Sequence, residues 1–192
     1  DVRKVCFTGS TAVGQGIMRK AADSLKRITL ELGGKSANIV FADADLDQAA
    51  ASAPMSFLDN AGQDCCARTR ILVQRSVFDA FMERFEVAIK AVQVGDPGDE
   101  STQMGPLVSA GQRETVRSFV EGAQAAGHAA PDVAFRGTAP EGAGYWYPPT
   151  VVRLPALILL IPMPAMPSRS AALSRVDSTS GNSGRHTRNA NT

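Results

Sequence analysis

Three places in the 192-residue chain carry residue types and spacings suited to chemistry: Cys65, Glu31 and the glycine-marked stretch Gly9 to Gly14. Cys65 follows the polar run Asn60-Ala-Gly-Gln-Asp64, which reads as a loop between a helix and a strand. An ordinary thiol titrates near ~8.5, so nucleophilic work at neutral pH requires a base or a helix N-terminus close by. The commoner fate of a free cysteine is to be a small buried hydrophobe, although loops are where reactive residues concentrate. Cys66 fits that packing role more readily, and Cys6, inside an apolar strand, fits it best. Glu31 lies near the end of an apolar run, just before Gly33-Gly34. Buried there, its carboxyl would be raised toward the range of a general base; exposed, it is a strand-end carboxylate facing water beside Lys35.

Gly9, Gly14 and Gly16 fall between a strand and a helix, where backbone N–H groups and the helix dipole favour a phosphate. The stretch is not the dinucleotide fingerprint G-x-G-x-x-G, because Ser10 and Thr11 follow Gly9. Nor is it a nucleotide-triphosphate loop, since Gln15 stands where a lysine is required; Gly34-Lys35-Ser36 fails that test through Thr29. A tight strand-to-helix turn accounts for these glycines as well as a phosphate site does. Asp43, Asp45 and Asp47 lack the glycine and distant glutamate of a calcium loop, and acidic residues opening a helix explain them more simply. Three cysteines and two histidines give no zinc-ligand spacing, so no metal is expected.

The elements that must hold these residues follow from the apolar periodicity. Strands are predicted over 2–7, 27–32, 37–41 and 70–74. A helix runs over 11–24, with Val13, Ile17 and Ala21 near one face, and another over 45–60, broken or kinked at Pro54. After Ser76, whose spacing to Asp79 is a capping signal, Phe78, Phe81, Met82, Phe85 and Ile89 recur at helical steps and read as core. Gly95-Asp-Pro-Gly98 ends that element, a second amphipathic helix covers 109–124, and weak strands with Gly/Pro turns lead to Thr150. Strands alternating with helices argue for an α/β fold with largely parallel pairing.

Composition narrows the partners. Hydrophobic residues make up 44% and charged residues 20%, with a net charge of +1, so neither nucleic acid nor an anionic membrane is expected. The longest apolar run, Leu154 to Met166, is broken by Pro155, Pro162 and Pro164 and is too short to span a bilayer. An odd cysteine count without a secretory signal suggests a reducing, cytoplasmic setting. The first residue is Asp1 and not methionine, so the true start is expected to lie upstream. From 153 to 192 the chain turns Ser/Arg/Asn-rich without periodicity, and that tail is expected to be disordered or aberrant.

In their order along the chain, these motifs resemble the NAD(P)-dependent aldehyde dehydrogenase superfamily. The resemblance rests on Phe7-Thr-Gly-Ser-Thr-Ala-Val-Gly14, Leu30-Glu-Leu-Gly-Gly-Lys-Ser36 and Asn60-Ala-Gly-Gln-Asp-Cys65. Asp43-Ala-Asp-Leu-Asp47, Met104-Gly-Pro-Leu107 and Tyr147-Pro-Pro-Thr150 extend it to about residue 152. It implies an oxidation of an aldehyde to a carboxylic acid, with Cys65 as nucleophile and Glu31 as the base that activates hydrolytic water. It implies NAD or NADP as cofactor, held by Gly9, Ser10, Thr11, Gly14 and Leu32, and no metal. By the same resemblance, residues 1–32 end a Rossmann-like cofactor domain and 33–152 are part of the catalytic domain. Partners would be a small aldehyde and, for an intact family member, further copies in a dimer or tetramer. The family's side-chain oxyanion asparagine, its ribose-binding lysine and its Glu-x-x-Phe-Gly-Pro segment are not found, and the tail is expected to be out of frame. The alternative expectation is a catalytically incompetent fragment with only a structural or binding role.

Overall fold

The computed structural model describes residues 2–125 and 132–153. Apart from Arg153, the expected irregular tail lies outside the described residues.

Strand β1 (Lys4–Gly9), helix α1 (Thr11–Ala22) and strand β2 (Arg27–Leu32) make a β-α-β unit in which the strands pair in parallel. The register sets Thr8 against Glu31 and Gly9 against Leu32, so the carboxyl ends of both strands emerge side by side. Ser10 turns the chain into α1: its backbone is extended and its Oγ accepts from the Val13 N–H at 3.4 Å, a side-chain N-cap. Of the face expected from Val13, Ile17 and Ala21, Ala21 is buried and Ile17 half-buried, but Val13 is 51% exposed and Gly14 is buried in its place. The reason is local. Leu32 occupies the space beside Gly14, where an added Cβ would stand 2.8 Å from its Cδ2, so α1 approaches β2 through the glycine.

Strand β3 (Ala37–Val40) pairs in parallel with β4 (Arg70–Val73), with helical segments between them in the chain. Asp45 caps α2 (Leu46–Ser52) by accepting from Gln48 N–H at 3.0 Å, as an acidic helix opening should. Pro54 interrupts the expected long helix: α3 (Met55–Leu58) restarts after it and passes into a single 3-10 turn over Asp59–Gly62. Helix α4 (Phe78–Lys90) supplies the centre of the core, with Phe81, Phe85 and Ile89 between 0% and 1% exposed. These pack with Val40, Ala50, Ala53, Leu58, Met104 and Phe135. Phe85 stacks edge-on against Phe57 and Phe135 and lies 5.3 Å from Phe81, ring centre to ring centre. Burying each such side chain contributes about 1.5–3 kcal/mol.

The capping signal at Ser76 is not realised. A 3-10 turn over Arg75–Val77 precedes α4, and Val77 is its N-cap without a side-chain bond. Gln74 anchors that turn, donating its N–H to Val40 O at 2.9 Å and accepting the Ala42 N–H on Oε1 at 2.8 Å, so the chain tightens before Ser76 can take a cap position. Helix α5 (Ala110–Ala125) follows, and strands β5 (Asp132–Arg136) and β6 (Thr150–Arg153) pair antiparallel with an irregularity between Val133 and Phe135. Among the described residues, parallel pairing thus holds for two of the three strand pairs. No helix among the described residues is long and apolar enough to cross a membrane.

Candidate active site

The carboxyl ends of β1 and β2 bring the first group of candidate residues together. Gly9 has its open side against the Phe7 ring, where an added Cβ would lie 2.5 Å from Cζ, so the turn into α1 admits no larger residue without moving that ring. The first N–H groups of a helix have no intrahelical acceptor. Ser10 takes that of Val13, which leaves the Thr11 and Ala12 amides at the free end of α1. No acidic residue lies in the first turn to compete for them. Gly14 is buried beneath Leu32, so its part is to let helix and strand approach rather than to offer an open N–H.

Glu31 sits on β2 opposite Thr8, one residue before the strand ends. It is exposed, and among the described residues it makes no ion pair, with Lys35 or any other cation. The burial expected of a general base is therefore not supplied by the described residues. From Leu32 the chain runs through Gly33 and Gly34 into β3, held to β4 at the start: Arg70 donates its N–H to Ser36 O at 3.3 Å and its Nε–H to Lys35 O at 2.8 Å.

Cys65 reaches the same junction from the other side. A Cβ on Gly34 would stand 3.1 Å from the Cys65 carbonyl oxygen, so the glycine pair after Glu31 and the cysteine loop are in direct backbone apposition. All three cysteines are free and exposed, and for Cys6 and Cys66 this corrects the expectation of a packed side chain. Cys6 lies on β1, on the face whose alternate positions are left uncovered, whereas Val5 and Phe7 are half-buried on the other.

The cysteine loop has an unusual backbone. Asn60, Ala61 and Gly62 all lie in the left-handed region, with φ of 50°, 56° and 75°. Gly62 also has the Phe57 carbonyl on its open side, 3.1 Å from where a Cβ would stand. Gln63 ties this turn to a distant segment: its Oε1 accepts the Val108 N–H at 3.0 Å, and its Nε2 donates to Asn60 O at 3.0 Å. Sequence reading passed over both Gly34 and Gln63 as active participants, because their partners lie 31 and 45 residues away and no local period links them. No group of three or more metal-ligating side chains occurs among the described residues.

Comparison with known proteins places these features. The sequence model described as the aldehyde dehydrogenase family matches residues 1–156, ending close to where the composition changes. The betaine aldehyde dehydrogenase of Rhizobium johnstonii is 44% identical over 153 residues, covering 79% of this chain and 31% of its own. An aldehyde dehydrogenase of Emericella nidulans is 45% identical over 152 residues, with 79% and 30% covered. Among solved structures, betaine aldehyde dehydrogenase of Staphylococcus aureus in complex with NAD+ superposes with a TM-score of 0.71 at 37% identity, over 78% of this chain and 30% of that one. The chain thus spans about 30% of the length of the relatives it matches. With the α/β elements, the motif order and these likenesses in agreement, the chain belongs to the aldehyde dehydrogenase family.

Proposed function

We propose that this chain carries the nucleophile and the general base of an aldehyde dehydrogenase that oxidises an aldehyde to a carboxylic acid with NAD+ or NADP+. The observation that carries the reading is the apposition of Gly34 to the Cys65 carbonyl, which joins the strand end bearing Glu31 to the cysteine loop. The boundary between a cofactor domain and a catalytic domain then falls at Leu32–Gly33, where β2 leaves the first strand pair.

The Cys65 sulfur, as thiolate, forms a bond to the aldehyde carbon, and the carbonyl oxygen becomes an oxyanion met by the Cys65 backbone N–H. A bound nicotinamide supplies the acceptor for the hydride whose loss turns this adduct into a thioester. Glu31 takes a proton from water, the hydroxide adds to the thioester carbon, and the C–S bond breaks to return the thiolate and release the acid. The residues at the carboxyl ends of β1 and β2 fit a dinucleotide: ligands of open parallel sheets bind outside those ends, and the free amides of Thr11 and Ala12 suit a pyrophosphate. Gly9 and Ser10 line that turn, Gly14 keeps α1 close to β2, and Leu32 offers backbone toward the nicotinamide end. Betaine aldehyde dehydrogenases among the relatives make a quaternary-ammonium aldehyde the first substrate to try.

Mass-spectrometric peptide mapping after brief iodoacetamide treatment tests the nucleophile. Cys65 is expected to label faster than Cys6 in the same molecule, and slow, equal labelling of all three cysteines would refute it. In an enzyme complete for cofactor binding, Glu31→Gln is expected to release one equivalent of reduced cofactor and then stall at the thioester. Continued turnover at the original rate would remove Glu31 from the role.

A second reading is favoured by one observation. Ile39 and Leu72 face each other across β3 and β4 while 56% and 47% exposed, an apolar face open to water. On that reading the 192-residue chain by itself is catalytically silent and acts only as a structural or binding piece. Assay of the purified chain with NAD+ and a simple aldehyde is expected to give little or no turnover, and robust oxidation would dismiss it.

A further inference from the structure

We propose that Gln63 is a positioning residue for Cys65, an inference that rests on the catalytic reading of that cysteine. Asparagine tolerates the left-handed conformation as a single residue, but alanine does not, so Ala61, directly after Asn60, holds it only while neighbouring contacts over-determine the turn. Gln63 supplies those contacts. Its main-chain N–H donates to Asn60 O at 3.1 Å, its Nε2 donates to the same oxygen at 3.0 Å, and its Oε1 accepts the Val108 N–H at 3.0 Å. One carboxamide thereby closes the strained turn and fastens it to a segment 45 residues further along.

The cysteine follows two positions later. Downstream the chain is held by backbone alone, Ala67 N–H to Asp64 O at 3.3 Å and Arg68 N–H to Ser56 O at 3.0 Å. Upstream, the other side-chain tie is Asn60 Nδ2 to Asp64 Oδ1, at 3.3 Å and exposed. Among the described residues Gln63 is therefore the one side chain that links the cysteine loop to another part of the fold by hydrogen bonds. Val108 is otherwise exposed at 76%, so apolar packing cannot substitute for the bond to its amide. Released from Val108, residues 60–62 relax toward right-handed backbone, and the Cys65 carbonyl moves off Gly34. The position of the sulfur then ceases to be set by the fold, and a displaced nucleophile loses rate even when its chemistry is unchanged.

The chemistry of the carboxamide separates its two bonds. Gln63→Met removes both; Gln63→Glu keeps an acceptor for Val108 N–H and removes the donor to Asn60 O. The test uses the full chain and two readouts: iodoacetamide labelling of Cys65 relative to Cys6 across neutral to alkaline pH, and hydrogen exchange at the Val108 amide. Gln63→Met is expected to speed Val108 exchange and to lower the Cys65-to-Cys6 labelling ratio by about tenfold at every pH. Gln63→Glu is expected to leave Val108 protected and to recover a large part of the ratio. Faster Val108 exchange with an unchanged ratio, in either variant, overturns the proposal. If Gln63→Met unfolds the chain, seen as fast labelling of all three cysteines, the Gln63→Glu result decides: a protected Val108 with the ratio retained supports the role, and a protected Val108 with the Gln63→Met-like ratio opposes it. Equal labelling of Cys65 and Cys6 in the unsubstituted chain is a different failure, since it removes the catalytic reading itself.

Discussion

Gly34 and Cys65 meet backbone to backbone: a single methyl group on the α-carbon of Gly34 would stand 3.1 Å from the Cys65 carbonyl oxygen. That spacing is tighter than ordinary van der Waals contact, and the neighbour is main chain, which cannot swing aside as a side-chain tip can.

Gly34→Ala is therefore expected to displace the cysteine loop and destabilise the chain by about 1 kcal/mol or more. Gly33→Ala meets nothing within 4 Å and serves as the control, expected to be near neutral. Urea unfolding of both variants, with Cys65 labelling alongside, checks the pair. Equal stability and equal labelling would mean that the loop yields freely at Gly34.

A second pair separates packing from helix propensity in α1. An added Cβ at Gly14 would lie 2.8 Å from Leu32 Cδ2, whereas at Gly16 it meets open space. Gly16→Ala should stabilise by roughly 0.5–1 kcal/mol, the ordinary gain from glycine to alanine inside a helix. Gly14→Ala should lose that gain because Leu32 must rotate, leaving it less stable than Gly16→Ala. Thermal melting of the two variants side by side measures the difference. A higher melting temperature for Gly14→Ala would show that Leu32 gives way without cost.

The aromatic core sets the largest stability effect. Phe85 is 1% exposed and contacts three other phenylalanine rings, so Phe85→Ala is expected to cost about 3–5 kcal/mol. Phe119, 75% exposed on α5, is expected to change stability by no more than about 0.5 kcal/mol when replaced by alanine. Denaturant titration of both checks the contrast, which would collapse if Phe85→Ala unfolded at the unsubstituted midpoint.

One acidic turn should respond to pH. Asp99 accepts the Ser101 N–H and the Ser101 hydroxyl, each at 2.8 Å on Oδ1. The backbone bond first, and the hydroxyl second, hold its carboxyl below the ordinary carboxylate value of 3.8. A depressed acid stabilises the fold above its unfolded pKa, and the contribution disappears as pH falls through the lower folded value. Protection of the Ser101 amide, taken as exchange relative to an unstructured amide at the same pH, should therefore be steady above about pH 4 and fall below it. Asp99→Asn should flatten that dependence; an unaltered acid limb in the variant would assign it to another group.

The family was legible because its motifs are local. Cys65 in Asn60-Ala-Gly-Gln-Asp-Cys65, Glu31 before Gly33-Gly34 and the turn after β1 each admit a bland structural reading alone, and their order along the chain is what marks the family. The elements followed from apolar period, and Pro54 broke its helix as the missing N–H requires. Where reading went astray, a distant partner had intervened. Gln74, tied to Val40 and Ala42, drew the chain into a 3-10 turn and took from Ser76 the cap that its spacing to Asp79 suggested. Leu32, across the strand register, reserved the inner face of α1 for Gly14 and turned Val13 outward.

The sequence by itself determined the family and which runs would be strand or helix, since motifs and apolar period both depend on neighbours a few residues apart. Only the tertiary structure decided that Glu31 is exposed, that Gly34 lies on the Cys65 carbonyl, and that Gln63 reaches Val108. The last two are relations between segments 31 and 45 residues apart, which only the folded chain brings together, and such pairings leave no period in the sequence.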